Sequence, residues 1–149
     1  MFGARSVRSL CSLWVSLLCV GASSVAVAQA PNDAALAAFG GFAGLSKITQ
    51  DFVERIQKNP SIGRFFKEAD NERLQAMLTD QFCDVLGGGC KYSGKSMQEA
   101  HTNMKVASAD FNALAEELQN ALSAANVPFS EQNRLVAKLA PMHRDVVQK

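Results

Sequence analysis

The sequence has 149 residues, the length of one globular domain. It carries 15 Lys and Arg residues against 14 Asp and Glu residues, and a net charge of +1 argues against nucleic acid as the main partner. Four prolines, a single tyrosine and few β-branched runs favour helices over sheet, so the composition predicts an all-α domain.

Residues 1–28 differ from the rest of the chain and are typical of a secretory signal peptide. Arg5 and Arg8 form a basic start, an uncharged apolar stretch follows, and Ala26-Val27-Ala28 is a small-x-small cleavage motif. The apolar run is shorter than the roughly 20 residues of a membrane span, although an uncleaved anchor stays open as the alternative. We expect cleavage, export to a bacterial periplasm, no stable membrane span afterwards, and one mature domain over residues 29–149.

Cleavage would also change the cysteine count. It would remove Cys11 and Cys19 and leave Cys83 and Cys90 in a chain with 13 basic and 14 acidic side chains. Two cysteines in an exported protein predict a disulfide, and two free thiols are the alternative. The bridge would tie the end of a helix to a glycine loop, with a stabilisation of about 2–3 kcal/mol because the span is short.

Six segments of the mature chain place apolar residues at helical spacing. They are residues 34–39, 42–56, 71–86, 97–104, 108–125 and 130–146. Glycines or an Asn-Pro step end the first three, and Pro141 should kink the last. The expected N-terminal caps are Asp70 or Asn71, Ser96 in a capping box with Glu99, Ser108 and Ser130.

A run of three glycines, Gly87 to Gly89, separates the third segment from a short helix that carries a histidine. On that helix Met97, Ala100, His101 and Met104 share one face, because residues three and four apart are neighbours. A histidine on an apolar face is either a core residue with a satisfied hydrogen bond or a metal ligand, and the spacing leaves both open.

Several patterns of catalytic or metal sites are absent from the sequence. It contains no Gly-rich phosphate loop, no HExxH zinc pair and no CxxCH haem-attachment site, and Cys83 and Cys90 have a poor spacing for zinc. His101 would therefore serve alone. Haem is the common cofactor that needs a single protein ligand and a large apolar slot.

The order of eight short motifs then points to a known family. They are Phe39-Gly40-Gly41, Asp51-Phe52-Val53-Glu54-Arg55, Phe65-Phe66, Leu86-Gly87-Gly88, Lys91-Tyr92-Ser93-Gly94, Met97-Gln98-Glu99-Ala100-His101, Ala109-Asp110-Phe111 and Val127-Pro128. In this order they resemble the group I truncated haemoglobins over nearly the whole mature chain. The resemblance implies a two-over-two helical globin sandwich with non-covalent haem b.

The resemblance also implies roles for individual residues. His101 matches the proximal iron ligand, and Phe66 matches the corner phenylalanine packed on the ring. Positions that line the haem in the family are occupied by Phe82, Leu86, Tyr92, Met97, Met104, Val106 and Phe111. The glycine motif usual after the proximal helix is missing, and Asn103-Met104-Lys105 stands there instead.

The distal side departs from the family pattern. Family members that bind oxygen commonly place a tyrosine on the second helix and polar residues on the third, but Val53, Leu74 and Leu78 occupy these positions. Gln75 and Gln81 lie on the third helix and are expected to face away. Without a donor, bound O₂ gains little stabilisation, so it should leave fast or oxidise the iron, whereas NO and CO should be affected less.

Met77 matches a position where some relatives place a side chain that itself binds the iron. A thioether is a known haem ligand, and a His/Met pair raises the reduction potential. The alternative is a methionine that only lines the core or the pocket, which its apolar stripe also explains.

Three functional hypotheses follow. The first is a globin that binds O₂, NO or CO at haem iron, with NO dioxygenase or peroxidase-like turnover left open. The second is a six-coordinate His101/Met77 haem protein for periplasmic electron transfer or redox chemistry, with a redox partner protein. The third is a haem-free helical interaction module that keeps only the fold. His143, in the last helix, is expected at the surface.

Overall fold

The computed structural model of the chain describes residues 33–148, and in this range every regular element is helical, as the composition predicts. The predicted signal peptide, with Cys11 and Cys19, lies outside the described residues. The helices are α1 (Asp33–Leu36), α2 (Gly41–Lys58), α3 (Asn71–Leu86), α4 (Met97–Ala100), α5 (Ser108–Ala124), α6 (Phe129–Leu139) and α7 (His143–Val146). None of these helices is long and apolar enough to cross a membrane.

The four long helices form the body of the domain. Helix α2 packs against α3 and α5, and α6 packs against the same two helices. Leu45, Ile48, Phe52 and Ile56 recur every three or four residues along α2 and are all buried in the core. This arrangement of two helix pairs is the predicted two-over-two sandwich.

A buried polar contact fixes the crossing of α2 and α3. The hydroxyl groups of Thr49 and Thr79 lie 2.6 Å apart, and both side chains are almost fully buried. Thr79 also donates to the Gln75 carbonyl at 2.8 Å, and the Gln75 side chain donates to the Ser46 carbonyl at 3.1 Å. The Gln75 side chain therefore points toward α2, which agrees with the expectation that it faces away from the site.

The starts of α3 and α4 follow the sequence prediction. Asp70 caps α3 by accepting a hydrogen bond from the Arg73 N–H at 3.1 Å. Ser96 and Glu99 form the capping box at α4, because the Ser96 hydroxyl accepts the Glu99 N–H and the Glu99 carboxylate accepts the Ser96 N–H. The hydrogen bonds from Ser96 hold the pKa of Glu99 below its usual value.

The predicted caps Ser108 and Ser130 are wrong. Helix α5 begins at Ser108 itself, and the Asp110 carboxylate accepts the N–H of the preceding Ala107 at 3.0 Å. Helix α6 begins at Phe129, because the Pro128 carbonyl already accepts the first helical hydrogen bonds. In both cases the N-cap residue precedes the serine: it is Ala107 for α5 and Pro128 for α6. The predicted break at Pro141 is present as a 3-10 turn, Ala140–Met142, between α6 and α7.

Three consecutive glycines follow α3, and the first two are required for different reasons. Gly87 caps the helix in the left-handed region at φ 78°, which glycine adopts without a Cβ penalty. Gly88 is buried, and a Cβ there would lie 2.7 Å from the Cys83 sulfur and 2.9 Å from the Leu36 side chain. The close approach of α1 to the end of α3 therefore depends on Gly88.

Candidate functional site

A cavity of about 420 Å³ lies between the helices. Its walls come from α2 to α7, the Phe65-Phe66 corner and the loop before α4. Among residues 33–148, the side chains that line it include no Asp, Glu, Lys or Arg, and only Gln81, Tyr92 and His101 are polar. A cavity of this kind suits a large, mainly apolar ligand that is fixed by a few polar groups.

Most of the residues predicted for the site meet at this cavity. Those that line it are Phe66, Leu74, Met77, Leu78, Phe82, Tyr92, Met97, His101, Met104 and Phe111. Leu86 does not, because successive four-residue steps along α3 drift by about 40° each, and the last step turns Leu86 into the helical core. Val106 lines a smaller recess of about 50 Å³ that also borders His101.

One face of α3 forms a continuous wall of the cavity. It carries Leu74, Met77, Leu78, Gln81 and Phe82, which are spaced as neighbours on a helical surface. The expectation that Gln81 faces away is wrong: its residue is 7% exposed and borders the cavity. The signal was in the sequence, because Gln81 lies seven residues, or about two helical turns, after Leu74.

The Gln81 amide has weak partners inside the cavity. Its Nε2 lies 3.4 Å from the Met97 sulfur and 3.8 Å from the Met142 sulfur. Thioether sulfur is a poor acceptor, so this buried amide is held but not strongly bonded. The three side chains nevertheless join α3, α4 and the turn before α7.

The α2 wall differs from expectation at Val53. Val53 is buried but does not line the cavity, whereas its helix neighbours Phe52 and Ile56 do. Of the three apolar residues Val53, Leu74 and Leu78, only the two leucines of α3 therefore line the cavity.

Two adjacent phenylalanines, Phe65 and Phe66, both line the cavity. They lie at the end of a 3-10 turn, Gly63–Phe65, in which successive side chains are about 120° apart rather than opposed. The Arg64 guanidinium stacks over the Phe65 ring at 4.3 Å and pairs with the Asp110 carboxylate at 2.8 Å. This pair joins the corner to the first turn of α5.

His101 is positioned by the short helix that precedes it. Helix α4 is a single turn, and His101 is its C-cap residue. The His101 Nδ1 lies 2.7 Å from the Met97 carbonyl oxygen. Because a carbonyl oxygen can only accept, Nδ1 carries the proton, and the lone pair is on Nε2, as in a metal-binding histidine.

The chain after His101 follows an unusual path. Asn103 and Lys105 both adopt left-handed backbone angles, at φ 64° and φ 56°. Each such non-glycine residue costs roughly 1–2 kcal/mol unless its surroundings hold it. These two residues replace the glycine motif that the family resemblance led us to expect, and they bring Met104 back to the cavity wall.

Tyr92 closes the side of the cavity near the glycine loop. Its hydroxyl donates to the Lys95 carbonyl at 2.9 Å, and its backbone N–H donates to the Asp84 carboxylate at 3.0 Å. A Cβ on Gly94 would overlap the tyrosine ring, so the Tyr-Ser-Gly run needs glycine there. Burial raises the pKa of Tyr92 above its usual value.

A disulfide joins Cys83 near the end of α3 to Cys90 in the loop that leads to Tyr92, with the Cα atoms 5.6 Å apart. Cys83 is fully buried against the core, and Cys90 packs against it from the edge. His143 does not border the cavity: it is half-buried, and its ring meets the Phe111 ring edge-on at 4.9 Å.

Known proteins resemble the chain over the range that builds this cavity. Residues 35–148 match a family described as bacterial-like globin. A group 1 truncated haemoglobin of Mycolicibacterium paratuberculosis is 26% identical over 107 residues, which are 72% of this chain and 79% of the relative. One from Synechocystis is 30% identical over 120 residues, with 74% of this chain and 94% of the relative covered.

Solved structures give the same picture. The Fe(III) form of the truncated haemoglobin from Tetrahymena pyriformis superposes with a TM-score of 0.73 at 25% sequence identity. The match covers 77% of this chain and 98% of that structure. The similarity therefore includes the helices and the corner that wall the cavity.

The disulfide gives a first testable prediction. Cys90→Ala should lower the free energy of unfolding by about 2–3 kcal/mol, because the unfolded chain regains the freedom that the short loop closure removed. Urea unfolding of the oxidised proteins measures the difference. Dithiothreitol should bring the wild type down to the level of the variant and leave Cys90→Ala unchanged. Equal stability of the oxidised wild type and the variant would contradict the prediction.

Proposed function

Because the chain belongs to the bacterial-like globins, as a group 1 truncated haemoglobin, we propose that it binds haem b through His101 and a diatomic gas at the haem iron. The observation that carries the proposal is the His101 ring at the cavity wall, with Nδ1 bonded to the Met97 carbonyl. That bond leaves Nε2 as the ligand atom. The family supports haem b held without a covalent bond.

The residues at the cavity fit this cofactor. The apolar walls suit a porphyrin, and the described part of the chain contributes no Asp, Glu, Lys or Arg to them. Phe66 and Phe111 lie among the lining residues near His101, and both also border the recess next to it. When bound, the haem would supply an iron atom that takes O₂, NO or CO. The protein would hold the ring, exclude water and fix the imidazole.

The composition of the α3 wall bears on which gas is held. Leu74 and Leu78 offer no hydrogen bond, and the Gln81 amide is turned to the methionine sulfurs. Bound O₂ carries partial negative charge and is held mainly by charge-assisted hydrogen bonds. We therefore expect weak retention of O₂ and smaller effects on NO and CO. NO dioxygenase and peroxidase-like activity remain predictions of the same pocket.

A second candidate function rests on Met77. This side chain borders the cavity on the same face of α3 as Leu74 and Leu78. If its sulfur binds the iron opposite His101, the protein would be six-coordinate with a raised reduction potential. It would then serve electron transfer or redox chemistry with a partner protein.

We also propose that the protein acts after export. The signal-like residues 1–28 and the Cys83–Cys90 disulfide support this location, since disulfides persist in oxidising compartments. Expression in a bacterium should give a periplasmic protein whose mass, measured by mass spectrometry, is that of a chain beginning at Gln29. Full-length protein in the cytoplasm or the membrane fraction would contradict export with cleavage.

Haem binding is tested by replacing the predicted ligand. His101→Ala should abolish the Soret band of the purified, haem-supplemented protein, because the iron loses its protein ligand. The matched control is His143→Ala, which removes the other histidine of the chain and should keep the band. A Soret band of normal intensity and position in His101→Ala, or a colourless wild type, would refute the proposal.

Coordination is tested at Met77. The ferrous protein without added gas should show split visible bands if Met77 binds the iron and a single broad band if it does not. Met77→Leu conserves the volume of the side chain, and it should convert split bands to a broad band. The matched control is Met104→Leu, which changes another cavity methionine. A broad band in the wild type would eliminate the methionine ligand.

A further inference from the structure

We propose that Gln148 is a positioning residue for His101. Its hydrogen bonds hold the loop 101–106 after α4 in place, and we call this set of contacts the clamp. This inference rests on the proposed role of His101 as the iron ligand. Gln148 lies 47 residues further along the chain than His101, and its backbone is outside α7.

Gln148 makes three hydrogen bonds to the loop 101–106. Its side-chain Nε2 donates to the His101 carbonyl at 2.6 Å, and its side-chain Oε1 accepts the Lys105 N–H at 3.0 Å. Its backbone N–H donates to the Val106 carbonyl at 2.9 Å. One residue thus bonds to the beginning and the end of the loop.

The loop has two further hydrogen bonds close to His101. Helix α4 ends at Ala100, and the turn that follows keeps one backbone bond, from the Met104 N–H to the His101 carbonyl at 3.1 Å. The Thr102 hydroxyl donates to the Gln98 carbonyl at 2.8 Å, so neither bond reaches Lys105 or Val106. Asn103 and Lys105 hold left-handed angles that persist only where neighbours over-determine them. One side-chain bond of Gln148 acts before Asn103, at the His101 carbonyl, and the other acts on the N–H of Lys105 itself.

Gln148 follows a helix, α7, that is packed against the rest of the domain. Val146, two residues before Gln148, is 6% exposed and borders the cavity. Helix α7 contacts both α4 and α5. Gln148 therefore extends from a docked helix and is held in register with the loop.

The clamp reaches the imidazole through the backbone of His101. The ring is tied on one side by Nδ1 to the Met97 carbonyl, and the main chain is tied on the other side by its own carbonyl to Gln148. Two anchors on opposite sides of one Cα atom restrict both the backbone and the ring. Loss of the second anchor should leave the ring free to tilt at the iron.

The experiment compares Gln148→Ala and Gln148→Glu in the haem-loaded protein. The glutamate keeps an acceptor for the Lys105 N–H but has no donor for the His101 carbonyl, so it separates the two contacts. Gln119→Ala, at an exposed position of α5, is the matched control. Cooperative thermal unfolding of all three variants checks that each remains folded.

Two readouts report on the imidazole. Haem transfer to a scavenger protein should be about threefold to tenfold faster in both Gln148 variants, the effect of one lost hydrogen bond. The iron–histidine Raman band should shift or broaden in both. It is recorded just after photolysis of the CO complex, which gives five-coordinate iron whatever ligand occupies the sixth position.

The outcomes distinguish this inference from the proposed function. Gln148 variants that match Gln119→Ala in both readouts would overturn the positioning role, and so would a Gln148→Glu protein with wild-type properties. In the haem-free protein, amide exchange at Lys105 should accelerate in Gln148→Ala and not in Gln148→Glu. Unchanged exchange would overturn the clamp itself. A wild type that binds no haem would instead overturn the proposed function.

Discussion

The hydrogen bond between His101 Nδ1 and the Met97 carbonyl is the contact on which the site depends. It sets the tautomer of the imidazole, and so it decides which nitrogen is available to a metal. The Met97 carbonyl also accepts the His101 N–H at 3.2 Å, so one oxygen fixes both the ring and the main chain. His101 is the C-cap residue of α4, so this contact lies where the helix ends.

A large cavity in a small domain removes contacts that would otherwise stabilise the core. The remaining core is displaced to the contacts among α1, α2 and the ends of α3 and α5, where the fully buried side chains Leu36, Leu45 and Leu122 lie. Specific contacts then fix the positions of the walls. Thr49 contacts Thr79 between α2 and α3, and Arg64 pairs with Asp110 between the corner and α5. The disulfide does the same for the loop beside Tyr92.

The sequence predicts the helices and most of the cavity, because both depend on local pattern. The helical spacing of α3 predicts that Leu74, Met77 and Leu78 share one face. Gln81, seven residues after Leu74, lies on the same face. The helical spacing of α5 and α6 places Leu118 and Val136 on inward faces, but it cannot tell that they border a cavity. A helical periodicity shows which face is inside but not how far the opposite wall lies.

Contacts between distant segments are beyond a local pattern. Residues 101–106 alone do not show that Lys105 will hold a left-handed angle, since the partner of its N–H is the distant Gln148. The errors at Ser108 and Ser130 have a related cause: a serine near a helix start predicts a cap, but the neighbouring Asp110 and Pro128 take that role. In each case a second segment or residue competes for the same backbone group.

Side chains link the α3 wall of the cavity to the helix that positions His101. Gln81 belongs to α3, the helix that carries Leu74 and Met77, and its amide contacts the sulfurs of Met97 and Met142. Met97 begins the helix that positions His101, and Met142 directly precedes α7, from which the clamp at Gln148 extends. A displacement of α3 therefore acts on both supports of His101. Because thioether contacts are weak and methionine is flexible, this link lets the walls adjust to a ligand without breaking a strong bond.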